Sequence, residues 1–155
     1  MWWIVGVVAV VVAVATYLTW IAGRVDRLHR RAAASATALE AALDRRAAAG
    51  IDAAESMGLP DLREAASAAL DRDTVDREAV QNAFTKSLRE LPYGVDEPVM
   101  AEVVATSRRL SLARHVHNDL VRDALALRRR RLVRVFGFNR RHPLPTYFDI
   151  SDPQL

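Results

Sequence analysis

Seven arginines and no acidic residue fall within residues 127–141: Arg128, Arg129, Arg130, Arg131, Arg134, Arg140 and Arg141. Four successive arginines wrap around a helix, so at least one of them must face a partner or lipid. Attraction to anionic headgroups suits such a run, because each Arg near a charged lipid surface gains about 1 kcal/mol. Phe136 and Phe138 stand beside it, where an aromatic pair can enter the acyl boundary. A solvated helix face is the plain alternative. Nucleic acid is a third reading, opposed by the acidic balance of much of the chain.

Other groups promise less chemistry. His115 and His117 are two apart and point in different directions on a helix, unlike the i, i+4 pair of a helical zinc site. His117, on the seam, is expected to be a hydrogen-bonded residue of the core or its edge rather than a ligand or catalytic group. His29 and His142 have no ligand partner at metal spacing nearby. Asn118, Asp119, Arg122 and Asp123 form a polar cluster in which Asp119 and Asp123, an i, i+4 pair, could bind a cation weakly; the better reading is that Arg122 pairs with Asp residues along or across helices and holds the packing register. There is no cysteine, hence no disulfide, thiolate ligand or thiol nucleophile. No phosphate loop, GxSxG or HExxH is present. The expectation is a protein that is not an enzyme, with no cofactor, no metal and no catalytic residue.

These residues need elements to carry them. Residues 2–22 contain no charge. At 1.5 Å per residue such a helix is about 31 Å long, enough to cross hydrocarbon. Trp2 and Trp3 mark one end, Tyr17 and Trp20 the other, as in the aromatic belts of membrane spans. A cleaved leader ending at Ala13-Val14-Ala15 is the rival reading; it lacks a basic n-region, and the apolar run continues past that point. Arg24, Arg27, Arg30 and Arg31 follow the span. The positive-inside rule then predicts a single-pass protein of the plasma (cytoplasmic) membrane, N-terminus outside and C-terminal domain in the cytoplasm. Within the span, Gly6, Ala9, Ala13 and Thr16 form a small-residue seam on which a second copy could pack, unless it is mere composition.

Beyond the span, residues 23–31 carry a charge of +3, residues 32–91 carry −4, and residues 92–155 carry +4. Val25, Leu28, Ala32, Ala36, Leu39 and Leu43 keep three-four spacing, so the first helix should continue out of the membrane to about residue 56, with Gly50 as its weak point. Gly58-Leu59-Pro60-Asp61 should break the chain and open a short second helix. Asp73 and Thr74 offer caps for a third, reaching to about residue 91. The fourth should run from residue 98 to about 136 on a seam of Val99, Val103, Thr106, Leu110, Ala113, His117, Leu120, Ala124 and Leu127. No stretch alternates with period two. The predicted fold is all-α: a transmembrane helix (1–22) continuing into an antiparallel three- to four-helix bundle (23–137) with long first and last helices, then an extended tail (138–155). An antiparallel last helix would bring its arginines back toward the membrane, beside Arg24 and Arg27.

Several stretches carry a family likeness. "RVDRLHRRAAASATALEAALDRR" (24–46), "LARHVHNDLVRD" (112–123), "VFGF" (135–138) and "PTYFDI" (145–150) stand in an order that resembles the LemA family. The middle of the chain is shorter, and Gly50-Ile51 stands where that family usually has Ile-Pro. The resemblance implies a membrane-anchored helical bundle and no particular reaction. The functional expectation is a membrane-tethered scaffold or adaptor with a protein partner; the alternative is a lipid-organising, self-associating protein of the membrane surface.

Overall fold

In a computed structural model of the chain, which describes residues 1–91, 98–129, 144–151 and 153, the described residues form four helices and no strand. They are α1 (Trp2–Met57), α2 (Pro60–Leu70), α3 (Arg77–Arg89) and α4 (Pro98–Arg128). The expected extension of the last helix to residue 136 lies outside the described residues.

Local chemistry accounts for the boundaries. Gly58 ends α1 at φ +67°, the left-handed conformation that glycine adopts without strain. Leu59 N–H then donates to Ala54 O at 2.9 Å and Gly58 N–H to Glu55 O at 3.3 Å, which closes the helix by the Schellman pattern. Pro60 opens α2 where a missing N–H costs nothing. The cap of α3 is Asp76, whose carboxylate accepts from Ala79 N–H at 2.9 Å. Asp73 and Thr74, the expected caps, lie before it in a turn where Asp73 N–H donates to the Asp71 carboxylate.

Two compact units divide the chain, one of Met1–Ala34 with Asp119–Thr146, the other of Ser35–Asn118 with Tyr147–Leu155. In the first, α1 begins as a bare apolar helix: of residues 2–20 only Leu18 is even half-buried. This is the one helix among the described residues long and apolar enough to cross a membrane. Its threonine hydroxyls are satisfied internally, Thr16 and Thr19 each donating to the carbonyl four residues back at 2.9 Å. Burial begins at Ile21, which packs with Val25 and with Leu127 of α4, Leu28 lying against them.

The second unit holds the main core. Small residues of α1 and α2 (Ala47, Ala53, Ala54, Ala66 and Ala69) let backbones approach, while Phe84 and Leu88 of α3 and Met100 and Val103 of α4 fill the space between. Gly50 is no break in α1. It is buried against the Phe84 ring, and a Cβ built there would lie within 2.9 Å of Phe84 Cε2 and 3.3 Å of the Ala66 methyl. The residue is small because an aromatic edge occupies the place of its side chain. On α4 the expected seam is buried or half-buried from Val103 to Leu127, but Val99 is exposed and Met100 takes its place. A second cluster joins Leu39, Ala42 and Leu43 of α1 to Leu110 of α4 and to Ile150 from the C-terminal segment. Arg77 at the start of α3 reaches Glu40 of α1 at 3.0 Å.

Candidate docking site for an extended segment

Residues 144–151 follow no helix, yet they are part of the second unit's core from Phe148 onward. Exposure alternates as in a strand: Phe148 is half-buried, Asp149 exposed, Ile150 buried at 3% and Ser151 exposed. Pro153 is fully buried. The main chain of this segment is held by side chains. Asn118 uses both ends of its amide on one residue, Nδ2 donating to Phe148 O and Oδ1 accepting from Phe148 N–H, each at 3.1 Å. Arg114 donates to Ile150 O. From α3, Glu78 accepts from Asp149 N–H at 2.8 Å and Asn82 accepts from Ser151 N–H at 2.7 Å.

The spacing of these four residues explains the fit. Glu78 and Asn82 are an i, i+4 pair on α3, and Arg114 and Asn118 are an i, i+4 pair on α4. One such step rises about 6 Å along a helix. Two residues of extended chain advance about 6.6 Å. Each helix therefore meets every second residue of the segment: Asp149 and Ser151 on α3, Phe148 and Ile150 on α4. Chain numbers rise together on α3 and oppose each other on α4, so the segment runs parallel to α3 and antiparallel to α4.

The sequence places Asn118 in a polar cluster with Asp119, Arg122 and Asp123. Among the described residues the ion pair of Arg122 runs along its own helix, to Asp119 at 3.1 Å, and both side chains are about two-thirds exposed. That pair fixes no register between helices; an exposed i, i+3 pair is worth a few tenths of a kcal/mol, about 0.3. Asn118 instead holds the C-terminal segment, and the neighbouring His117 reaches across to α1, its Nδ1 3.1 Å from Ser35 Oγ in a buried pair.

A second polar feature lies in the core. Arg46 of α1 is entirely buried. Its Nε donates to Ser107 Oγ and its Nη2 to Thr85 Oγ1, both at 3.0 Å, and its guanidinium lies 4.8 Å from the centroid of the Phe84 ring. No carboxylate pairs with it among the described ion pairs, and Nη1 has no hydrogen-bond partner. Burial, and after it the charge of Arg89, pushes its pKa down to about 10, so it stays protonated at neutral pH. The signal for its burial was present: Leu39, Leu43, Arg46 and Gly50 continue one apolar face at four-three-four spacing.

The residues expected at the membrane are distributed as follows. Arg24 and Arg27 are exposed on α1. Arg24 lies 5.7 Å from the Trp20 ring, which itself stacks on Tyr17 at 6.3 Å between centroids. Gly6, Ala9, Ala13 and Thr16 all lie on the exposed stretch, and a Cβ at Gly6 would meet nothing within 4 Å. The main chain of Arg128 ends α4, and Arg129 follows, exposed. Arg130, Arg131, Arg134, Phe136 and Phe138 lie outside the described residues. Among the described residues no cluster of His, Asp and Glu has the makings of a metal site. Comparison with protein-family models, with curated proteins and with solved structures finds no match for the chain.

Proposed function

We propose that the protein is a non-enzymatic, membrane-tethered adaptor, LemA-like in character, which holds a helical domain at the cytoplasmic face of the plasma membrane for a protein partner. The observation that carries this reading is the continuity of α1. One unbroken helix has an exposed apolar first half and a second half buried in a core. A bare apolar stretch of that length is costly in water and stable in lipid. Trp20, Tyr17 and Arg24 form the aromatic-basic pattern of a membrane interface at its inner end. The arginines that follow the span support a cytoplasmic domain. The Ser35–His117 pair, the shared clusters and the opposed directions of α3 and α4 along the C-terminal segment support an antiparallel bundle. Arg24, Arg27, Arg128, Arg129, Arg130, Arg131 and Arg134, with Phe136 and Phe138, are the proposed lipid contacts.

The alternative is a lipid-organising protein that self-associates through Gly6, Ala9, Ala13 and Thr16. Extraction of the full chain in mild detergent, followed by crosslinking and capture, separates the two. A stoichiometric second protein supports the adaptor. Recovery of the chain with copies of itself and anionic lipid, and nothing else, overturns it in favour of self-assembly.

A further inference from the structure

We propose that the groove between α3 and α4 is a receptor for extended peptide segments, that residues 148–151 with Pro153 are its resident ligand, and that a protein partner engages it by offering an extended segment of the same chemistry in their place. The proposal rests on the adaptor reading and names the surface and the kind of partner it takes.

The site reads a main chain. Five hydrogen bonds join four side chains to the peptide groups of Phe148, Asp149, Ile150 and Ser151, and none of the five involves a side chain of the segment. A helical core that needed only a plug could close with apolar side chains. Here Asn118 presents an acceptor and a donor to one residue, as a neighbouring strand would. The i, i+4 pairs on the two helices match the two-residue repeat of extended chain, so the groove selects conformation before sequence.

Sequence enters at three places. Ile150 is buried against Leu39, Leu43 and Leu110; Phe148 packs against the same cluster; Pro153 is buried and brings no N–H that would need a partner. Asp149 and Ser151 point outward and are held by their N–H groups alone. The fitting segment therefore has an aromatic residue, an Ile-sized aliphatic two residues on and a proline three beyond that, with free choice at the positions of Asp149 and Ser151. A tethered tail competes at an effective concentration of about a millimolar. The resident segment thus sets a threshold that a partner must pass.

The test uses the full chain in lipid nanodiscs and a synthetic peptide of residues 144–155. At millimolar peptide, hydrogen exchange at the amides of Phe148, Asp149 and Ser151 in the chain should rise at least tenfold, with helix amides unchanged. Replacing Ile150→Arg in the chain should expel the tail, so that labelled peptide binds at least tenfold more tightly than to the unmodified protein. Adding Asn118→Ala should weaken that binding about tenfold. A peptide with Ser and Gly everywhere except the aromatic, Ile and Pro positions should bind within about threefold of the parent, and a scrambled one should not. Should the Ile150→Arg chain lose its helical circular dichroism, the exchange experiment on the unmodified chain decides alone. Tail amides indifferent to peptide, or a scrambled peptide that binds as well, would overturn the proposal. A groove that ignores peptide while a stoichiometric partner is still recovered sinks this inference and leaves the adaptor. Displacement by peptide with no partner recovered does the reverse.

Discussion

A guanidinium without a carboxylate, sealed in a core, has to be held by weaker groups. Arg46 has two hydroxyl acceptors and the face of Phe84. Charged hydrogen bonds contribute about 1.5–3 kcal/mol each and a desolvated cation–ring contact about 2 kcal/mol, against a burial penalty of several. The stem packs as well, which separates two substitutions. Arg46→Ala should lower stability by about 3–5 kcal/mol, since it removes stem and head together. Arg46→Met keeps the stem and abolishes the buried charge, and should cost less than half as much. Thermal unfolding followed by circular dichroism in nanodiscs measures both; equal losses would mean the charge itself holds the core. Gly50 is the companion case. Ala would add about 1 kcal/mol of helix propensity but drive a methyl into a ring that is itself fully buried. Gly50→Ala should therefore be net destabilising by about 1–3 kcal/mol, and Phe84→Leu should relieve most of that, seen as a coupling in the double-mutant cycle.

Elements behave differently along their own length. Among the described residues, α1 is exposed up to Trp20, apart from half-buried Leu18, and contributes to the core from Ile21 onward, so the proposed reading gives one helix two solvents. The small-residue seam lies on the half without protein neighbours, where close approach of a second helix is sterically open. Ala9→Leu with Ala13→Leu would thicken that face. In a membrane reporter of helix association the double variant should give a signal severalfold lower than the parent span; an unchanged signal would reduce the seam to composition. The C-terminal segment is the opposite kind of element. Its described main-chain bonds at Phe148, Asp149, Ile150 and Ser151 go to side chains of α3 and α4.

At the scale of the whole molecule the proposals concern sidedness. The charge step after the uncharged run predicts that a phosphatase reporter active only outside the cytoplasm, fused after Leu155, stays silent, while a reporter that works in the cytoplasm is active. The opposite pair of results would place the domain and its groove on the other face. On the proposed membrane reading, the basic flanks would add a salt-dependent attraction to anionic lipid, screened beyond a Debye length of about 8 Å at physiological salt.

Periodicity and composition alone determined the helical class, the break at Gly58-Leu59-Pro60, the uncharged run and most of both apolar seams. Those features follow from local rules: spacing of apolar residues, the conformational freedom of Gly, the missing N–H of Pro, the absence of charge over a bilayer's length. Even Asn118 and the "PTYFDI" segment stood out, though as separate motifs. Only the tertiary structure decided that Asn118 holds Phe148, that Glu78, Asn82 and Arg114 complete the cradle, that Gly50 makes room for Phe84, and that Arg46 is buried. Each of these depends on partners dozens of residues away. A polar side chain reads the same in sequence whether it faces water or a distant peptide group, and the free energy that separates the two fates lies in desolvation and pairing, which exist only once the helices have met.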